Sequence, residues 1–123
     1  MGTLLIIFED MRKGFVYIHS TKKRTTLYSG VTNDLARRTG EHVNNPKGFV
    51  AQYSVNHCVY FEEIIGPTFM TAIKREKEIK GWSRAKRVAL IESKNPHWYC
   101  YNHEILGLEG SCPCNTYNPK RSK

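Results

Sequence analysis

A glutamate sits where a helix should be apolar. Helical positions advance by about 100° each, so in the stretch 66–81 Phe69, Ala72, Ile73 and Ile79 share one face. Glu76 falls in the middle of that face, and Glu78 falls on the opposite side. A carboxylate in an apolar stripe costs free energy unless a cation answers it, either a metal or a neighbouring Lys or Arg. Periodicity alone favours the salt bridge. In the stretch 33–43, Leu35, Thr39 and Val43 mark a buried side, and Arg38 and His42 share one flank of it, one turn apart. An Arg and a His held together beside a core look placed rather than scattered, although both can also simply lay their stems over apolar surface. Arg37 points almost directly away, as a solvated or phosphate-contacting arginine would. Tyr17 and Tyr28 fall on two neighbouring strands, where cross-strand packing explains tyrosine as readily as chemistry does.

These residues are only as close as the elements that carry them. Phe15 to His19 reads as a strand, Ser20 to Arg24 as a polar turn, and Thr25 to Val31 as the returning strand of a hairpin. Thr32 or Asn33 supplies an N-cap, with Asp34 in the first turn, for a helix running to about Val43. Asn44 to Gly48 stops it. Val55 to Ile64 is a third strand, and Gly66, Pro67 and Thr68 open a second helix that ends near Gly81. Ser83 caps a third helix that ends before Asn95 and Pro96. From Tyr99 on, periodicity fades, and the last residues read as a solvated basic tail. The order β-β-α-β-α-α predicts an α+β domain, a small three-stranded antiparallel sheet with flanking helices. It divides the chain into an extension (1–13), one domain (14–98) and a C-terminal tail expected to be partly disordered (99–123).

The chain has 123 residues, room for one core. Lys+Arg 19 against Asp+Glu 11 gives a net charge of +8, which attracts polyanions and makes nucleic acid the first partner to consider. No run approaches the roughly 18 apolar residues of a membrane helix. Leu4 to Phe8 lacks the flanks of a signal peptide, and four cysteines make no disulfide framework for a chain with this much core. A reducing cytoplasm is therefore expected.

Taken together, the residues resemble the GIY-YIG nuclease family, in its small stand-alone form. The two name-giving tripeptides read Phe15-Val16-Tyr17 and Tyr28-Ser29-Gly30, with Phe15 where the family has glycine and Ser29 for an apolar residue. Val31 to His42 is similar to the family's strand-to-helix segment. Val59 to Glu62 and Arg75 to Lys86 are similar to its second half, and Asn95 to Trp98 to its end. The resemblance begins just after Met11, an alternative start. It implies metal-dependent hydrolysis of phosphodiesters in nucleic acid, DNA in preference to RNA, structure-selective and linked to DNA repair or processing. It further implies that Tyr17 acts as general base or relay, Tyr28 helps to position the water, and Arg38 neutralises the scissile phosphate. His42 would support the base or the phosphate, and Glu76 would hold one Mg²⁺ or Mn²⁺. A stand-alone domain would need a protein partner for targeting.

Two other readings stay open. A non-catalytic module of the same fold would bind phosphates with Arg37, Lys74, Lys77, Lys80, Arg84, Lys86 and Arg87; the first five are also the nucleic-acid-binding residues expected of a nuclease. Separately, Cys100, His103, Cys112 and Cys114 supply four zinc-ligand types, at a spacing that matches no assigned pattern.

Overall fold

A computed structural model describes residues 12–43 and 55–120. Its centre is β1 (Arg12–Ser20), which pairs antiparallel with β2 (Leu27–Thr32) on one side and β3 (His57–Gly66) on the other. The sheet order is β2-β1-β3, so β2 is an edge strand. Four helices follow the hairpin: α1 (Leu35–Val43), α2 (Met70–Lys80), α3 (Arg84–Lys94) and the short α4 (Asn102–Leu106). A 3₁₀ turn covers Pro113–Tyr117. This is the expected α+β architecture, with a three-stranded antiparallel sheet and flanking helices.

Alternation along β1 decides what lies on each face. Val16 and Ile18 pack with Val59, Tyr60, Ile79, Ile91 and Trp98, so α2 and α3 cover that face. Tyr17 packs on the other face with Leu35 and Cys58, flanked by Phe15 and Ile105, so α1 and α4 cover it. The main core of seven buried side chains, including Ile79 and Ile91, drives the helices onto the sheet; each fully buried aliphatic contributes roughly 1.5–3 kcal/mol. A register irregularity between Ile18 and His19 re-aims the end of β1 opposite Cys58.

Helix boundaries follow local chemistry. Ser83 Oγ accepts from the Lys86 N–H at 3.2 Å, the expected cap of α3. On α1 the cap is Asp34, not Thr32 or Asn33: Asp34 Oδ1 accepts from the Arg37 N–H at 3.0 Å. Thr32 Oγ1 instead accepts from the Asp34 N–H and shapes the turn into the helix. Gly81 ends α2, its N–H reaching the carbonyls of Lys77 and Glu78.

The ends of the chain depart from expectation. Arg12 and Lys13 already belong to β1; Met11 and the rest of the extension lie outside the described residues, as do the expected helix stop at 44–48 and residues 121–123. Residues 99–120 are not a loose tail but part of the fold. The Tyr101 N–H bonds to the Cys58 carbonyl (2.8 Å), and Asn102 Oδ1 accepts from the Cys58 N–H (3.0 Å), extending the start of β3 by one more backbone segment. Polar side chains fix this segment to the backbone, a mode of packing that leaves no hydrophobic period to read.

Candidate active site

Residues opposite each other in an antiparallel ladder share a face. Tyr17 lies opposite Gly30, and His19 opposite Tyr28, so both tyrosines of the hairpin are on the face that α1 covers. Tyr17 is 1% exposed, and its ring lies over Gly30, where any Cβ would overlap the phenol. That overlap is why the second tripeptide ends in glycine. Tyr28 is 44% exposed and open to a bound molecule.

From α1, Arg38 Nε donates to Tyr17 Oη at 3.2 Å, and Arg38 Nη1 lies 3.6 Å from Glu41 Oε1. The Tyr17 bond and the nearby Glu41 charge hold the Arg38 guanidinium more firmly protonated than usual. Burial pushes the Tyr17 phenol above its ordinary value of 10.0, and the Arg38 bond offsets only part of that rise. Tyr17 is therefore a neutral phenol at physiological pH, suited to orient and relay rather than to take a proton by itself. Thr39, on the buried side of α1 as expected, is fully buried. His42 lies on α1, but its side chain falls outside the described residues.

Arg38 lines an open cleft of about 450 Å³ with Val31, Thr32, Asn33, Arg37, Glu41 and Phe69. Arg37 is exposed as expected, near Asp34 and Glu41 and bonded to Asn33. Phe69, just before α2, brings the start of that helix to the same cleft. Glu76 is two turns further along that helix and half-buried. Among the described residues no hydrogen bond or ion pair joins it to Tyr17, Tyr28 or Arg38. Among the described residues no cation answers it either, as the salt-bridge reading requires. The adjacent Arg75 turns instead to Glu62 (3.1 Å) and Glu78 (2.8 Å). A half-buried carboxylate that its basic neighbour bypasses is a hard oxygen donor left available, which fits a divalent cation that keeps most of its waters.

The basic residues fall into two groups. Lys74, Lys77 and Lys80 are exposed along α2. Arg84 opens α3 and lines a second cleft, of about 610 Å³, with Lys23, Arg24, Thr25, Pro119 and Lys120. Lys86 is drawn over the Trp82 ring at 4.3 Å. Sequence reasoning missed two residues near these groups. His19 is fully buried with its ring 4.4 Å from that of Tyr17, and only the alternation of β1 hinted at this contact. Arg24, read as turn, is buried; nothing in the run Lys22-Lys23-Arg24 distinguishes it.

The family described as GIY-YIG catalytic domain matches residues 13–89, more than half of the chain. The chain belongs to the GIY-YIG family and is a small member of it, a nuclease-type domain whose substrate class is nucleic acid. No curated protein and no solved structure matches it. Among the described residues no helix is long and apolar enough to cross a membrane.

The position of Tyr17 has a measurable consequence. Its folded value is raised above the unfolded 10.0, so its contribution to stability is complete below about pH 10 and is lost as pH rises through the folded value. Burial pushes Tyr60 the same way, to about 12. Thermal unfolding of Tyr17→Phe between about pH 9 and 11 should fall less steeply with pH than that of the parent. Parallel curves would show that Tyr17 is not the buried, neutral phenol described.

Proposed function

We propose that this domain is a divalent-metal-dependent endonuclease that hydrolyses phosphodiester bonds, DNA in preference to RNA. We take it to be structure-selective and to serve DNA repair or processing. The observation that carries the reading is the 3.2 Å bond from Arg38 to Tyr17, at an open basic cleft beside the exposed Tyr28. Hydrolysis adds water across a P–O bond and spreads negative charge over the phosphate oxygens. Arg38, fixed through Nε, retains terminal N–H groups for those oxygens. Tyr17 keeps Arg38 oriented and relays a proton, and Tyr28 positions the attacking water. Glu76 would hold one Mg²⁺ or Mn²⁺, which supplies charge neutralisation at the phosphate and a more acidic bound water. His42 would support the phosphate or the water. Arg37, Lys74, Lys77, Lys80 and Arg84 form the wider phosphate-binding surface. Four free thiols suit a reducing, cytoplasmic setting, and a protein partner would supply targeting.

The test is a cleavage and binding screen over single-stranded, duplex, flapped and branched DNA and RNA, with Mg²⁺, Mn²⁺ or neither. Cleavage of branched or flapped DNA only with a divalent ion is expected. Affinity should fall tenfold or more between roughly 50 and 200 mM salt, because each phosphate contact releases counterions. Arg37→Glu should weaken binding and leave metal-dependent cleavage in place. Salt-insensitive affinity would sink the phosphate surface. Salt-sensitive binding without cleavage of any substrate would leave the non-catalytic module as the function.

A further inference from the structure

Away from the cleft, where the C-terminal segment meets the start of β3, lies a second group of chemistry-bearing side chains. One ligand atom from each of His57, Cys100, Cys112 and Cys114 lies within 4.8 Å of all the others. All three sulfurs belong to buried residues and none is in a disulfide. Cys100 Sγ is 3.6 Å from His57 Nδ1, and Cys112 Sγ is 3.1 Å from Cys114 Sγ. Zinc bonds of about 2.3 Å to sulfur and 2.0–2.1 Å to nitrogen, set tetrahedrally, imply ligand separations of roughly 3.5–3.8 Å. The group is thus close to a coordination shell, needing shifts of about an ångström or less at the ligand atoms.

We infer that His57, Cys100, Cys112 and Cys114 form a closed structural zinc site, which stitches the C-terminal segment to β3.

An independent observation supports it. Arg24 is 1% exposed, yet among the described residues no carboxylate meets its guanidinium. Its partners are the carbonyls of Thr21, Lys22 and Trp98, the Asn115 amide oxygen, and Cys114 Sγ at 3.5 Å. An unanswered buried cation is costly. One Zn²⁺ with three thiolates and a neutral imidazole carries a net charge of −1, and forming it from thiols releases three protons. That anionic centre is a counter-charge for Arg24, which meets none among the described residues. Asn115 ties the halves together, accepting from the Cys100 N–H at 2.8 Å while receiving Arg24. With four protein ligands and a soft, sulfur-rich set, the site suits Zn²⁺ in a structural role and leaves no position for a reacting water. It shares no residue with the cleft and stands independently of the nuclease reading.

The structure also corrects the ligand set read from spacing. His103 is excluded: its Nδ1 lies 3.2 Å from the Glu109 carbonyl, in an exposed setting. Buried Cys58 stands apart, its thiol pushed up to about 12 by desolvation and directed at the Tyr60 carbonyl.

The full chain, purified under reducing conditions without a polyhistidine tag, should carry about one zinc per chain by elemental analysis. X-ray absorption should report three sulfurs and one nitrogen, and Co²⁺ exchanged into the parent should give the intense thiolate charge-transfer absorption of a tetrahedral site. His57→Ala should weaken zinc binding by more than the roughly 10–100-fold that loss of an outer-shell partner costs. His57→Cys should restore it, and His103→Ala should retain it. A folded parent that holds no zinc and gives no such Co²⁺ spectrum overturns the site. Zinc lost from His103→Ala but kept in His57→Ala overturns the ligand assignment.

Discussion

Glu76→Gln is expected to reduce metal-dependent cleavage by roughly 10²-fold or more, the scale on which a lost centre of transition-state charge stabilisation registers. Glutamine preserves size and hydrogen bonding and removes the charge that a hard cation needs. Folding should be unaffected. Glu76 is half-buried and takes part in no ion pair among the described residues, so its neutralisation should move stability by no more than about 0.5 kcal/mol. Glu78→Gln is the control on the same helix: it loses the exposed 2.8 Å pair with Arg75, worth at most about 1 kcal/mol, and should cut like the parent. Cleavage rate at matched Mg²⁺, with salt-dependent DNA affinity measured beside it, separates chemistry from binding. A Glu76→Gln protein that cuts as fast as the parent would remove this residue from the site, and the phosphate-binding module would become the better account.

What the sequence made legible was whatever a period of 2 or 3.6 encodes. The tyrosines share a face because they sit at alternating positions of paired strands, and Arg38 reaches Tyr17 because Leu35 and Thr39 anchor α1 on that side of the sheet. Glu76 stood out for the same reason, as a charge out of phase with its helix. The C-terminal segment from Asn95 on obeys no period. Its α4 spans only five residues, and its packing runs through asparagines that bond backbone groups far away in sequence: Asn95 to Val59, Asn102 to Cys58, Asn118 to Trp98. The metal-ligand types of 100–114 were visible, but the histidine was not. His103 is the near neighbour in sequence, whereas His57 arrives through tertiary folding, 43 residues from Cys100.

That division matches two different chemistries in one small domain. The cleft offers the guanidinium groups of Arg37 and Arg38 and the Glu41 carboxylate, with the Tyr17 phenol bonded to Arg38, and these are hard groups suited to phosphate. The C-terminal cluster offers thiols and an imidazole, suited to a softer ion. Chelation therefore has to be read on two scales. Withdrawal of a weakly held Mg²⁺ should stop cleavage and leave thermal unfolding almost unchanged. Loss of zinc from the cluster should lower stability whether or not substrate is present.

Arg24→Ala should be the most destabilising single change outside the main core, by about 3–5 kcal/mol, the range for breaking a buried charged network. The side chain joins the hairpin turn to two parts of the C-terminal segment, with Nε donating to the Trp98 carbonyl at 2.9 Å and Nη2 to Asn115 and Cys114. Arg24 and Trp98 both hold a left-handed backbone, with φ of 61° and 56°, uncommon for residues other than glycine. Their mutual hydrogen bond sets one strained residue against the other, so strain at the turn is held in place by tertiary contact. Alanine would keep the strain at position 24 and remove what compensates it. Arg24→Gly would lose the same hydrogen bonds but adopt positive φ freely, and should be more stable than Arg24→Ala by about 1 kcal/mol. Denaturant unfolding of the parent and the two variants gives both differences. If Arg24→Ala unfolded within about 1 kcal/mol of the parent, the size of an ordinary surface substitution, the buried guanidinium would not be the link between hairpin and C-terminal segment.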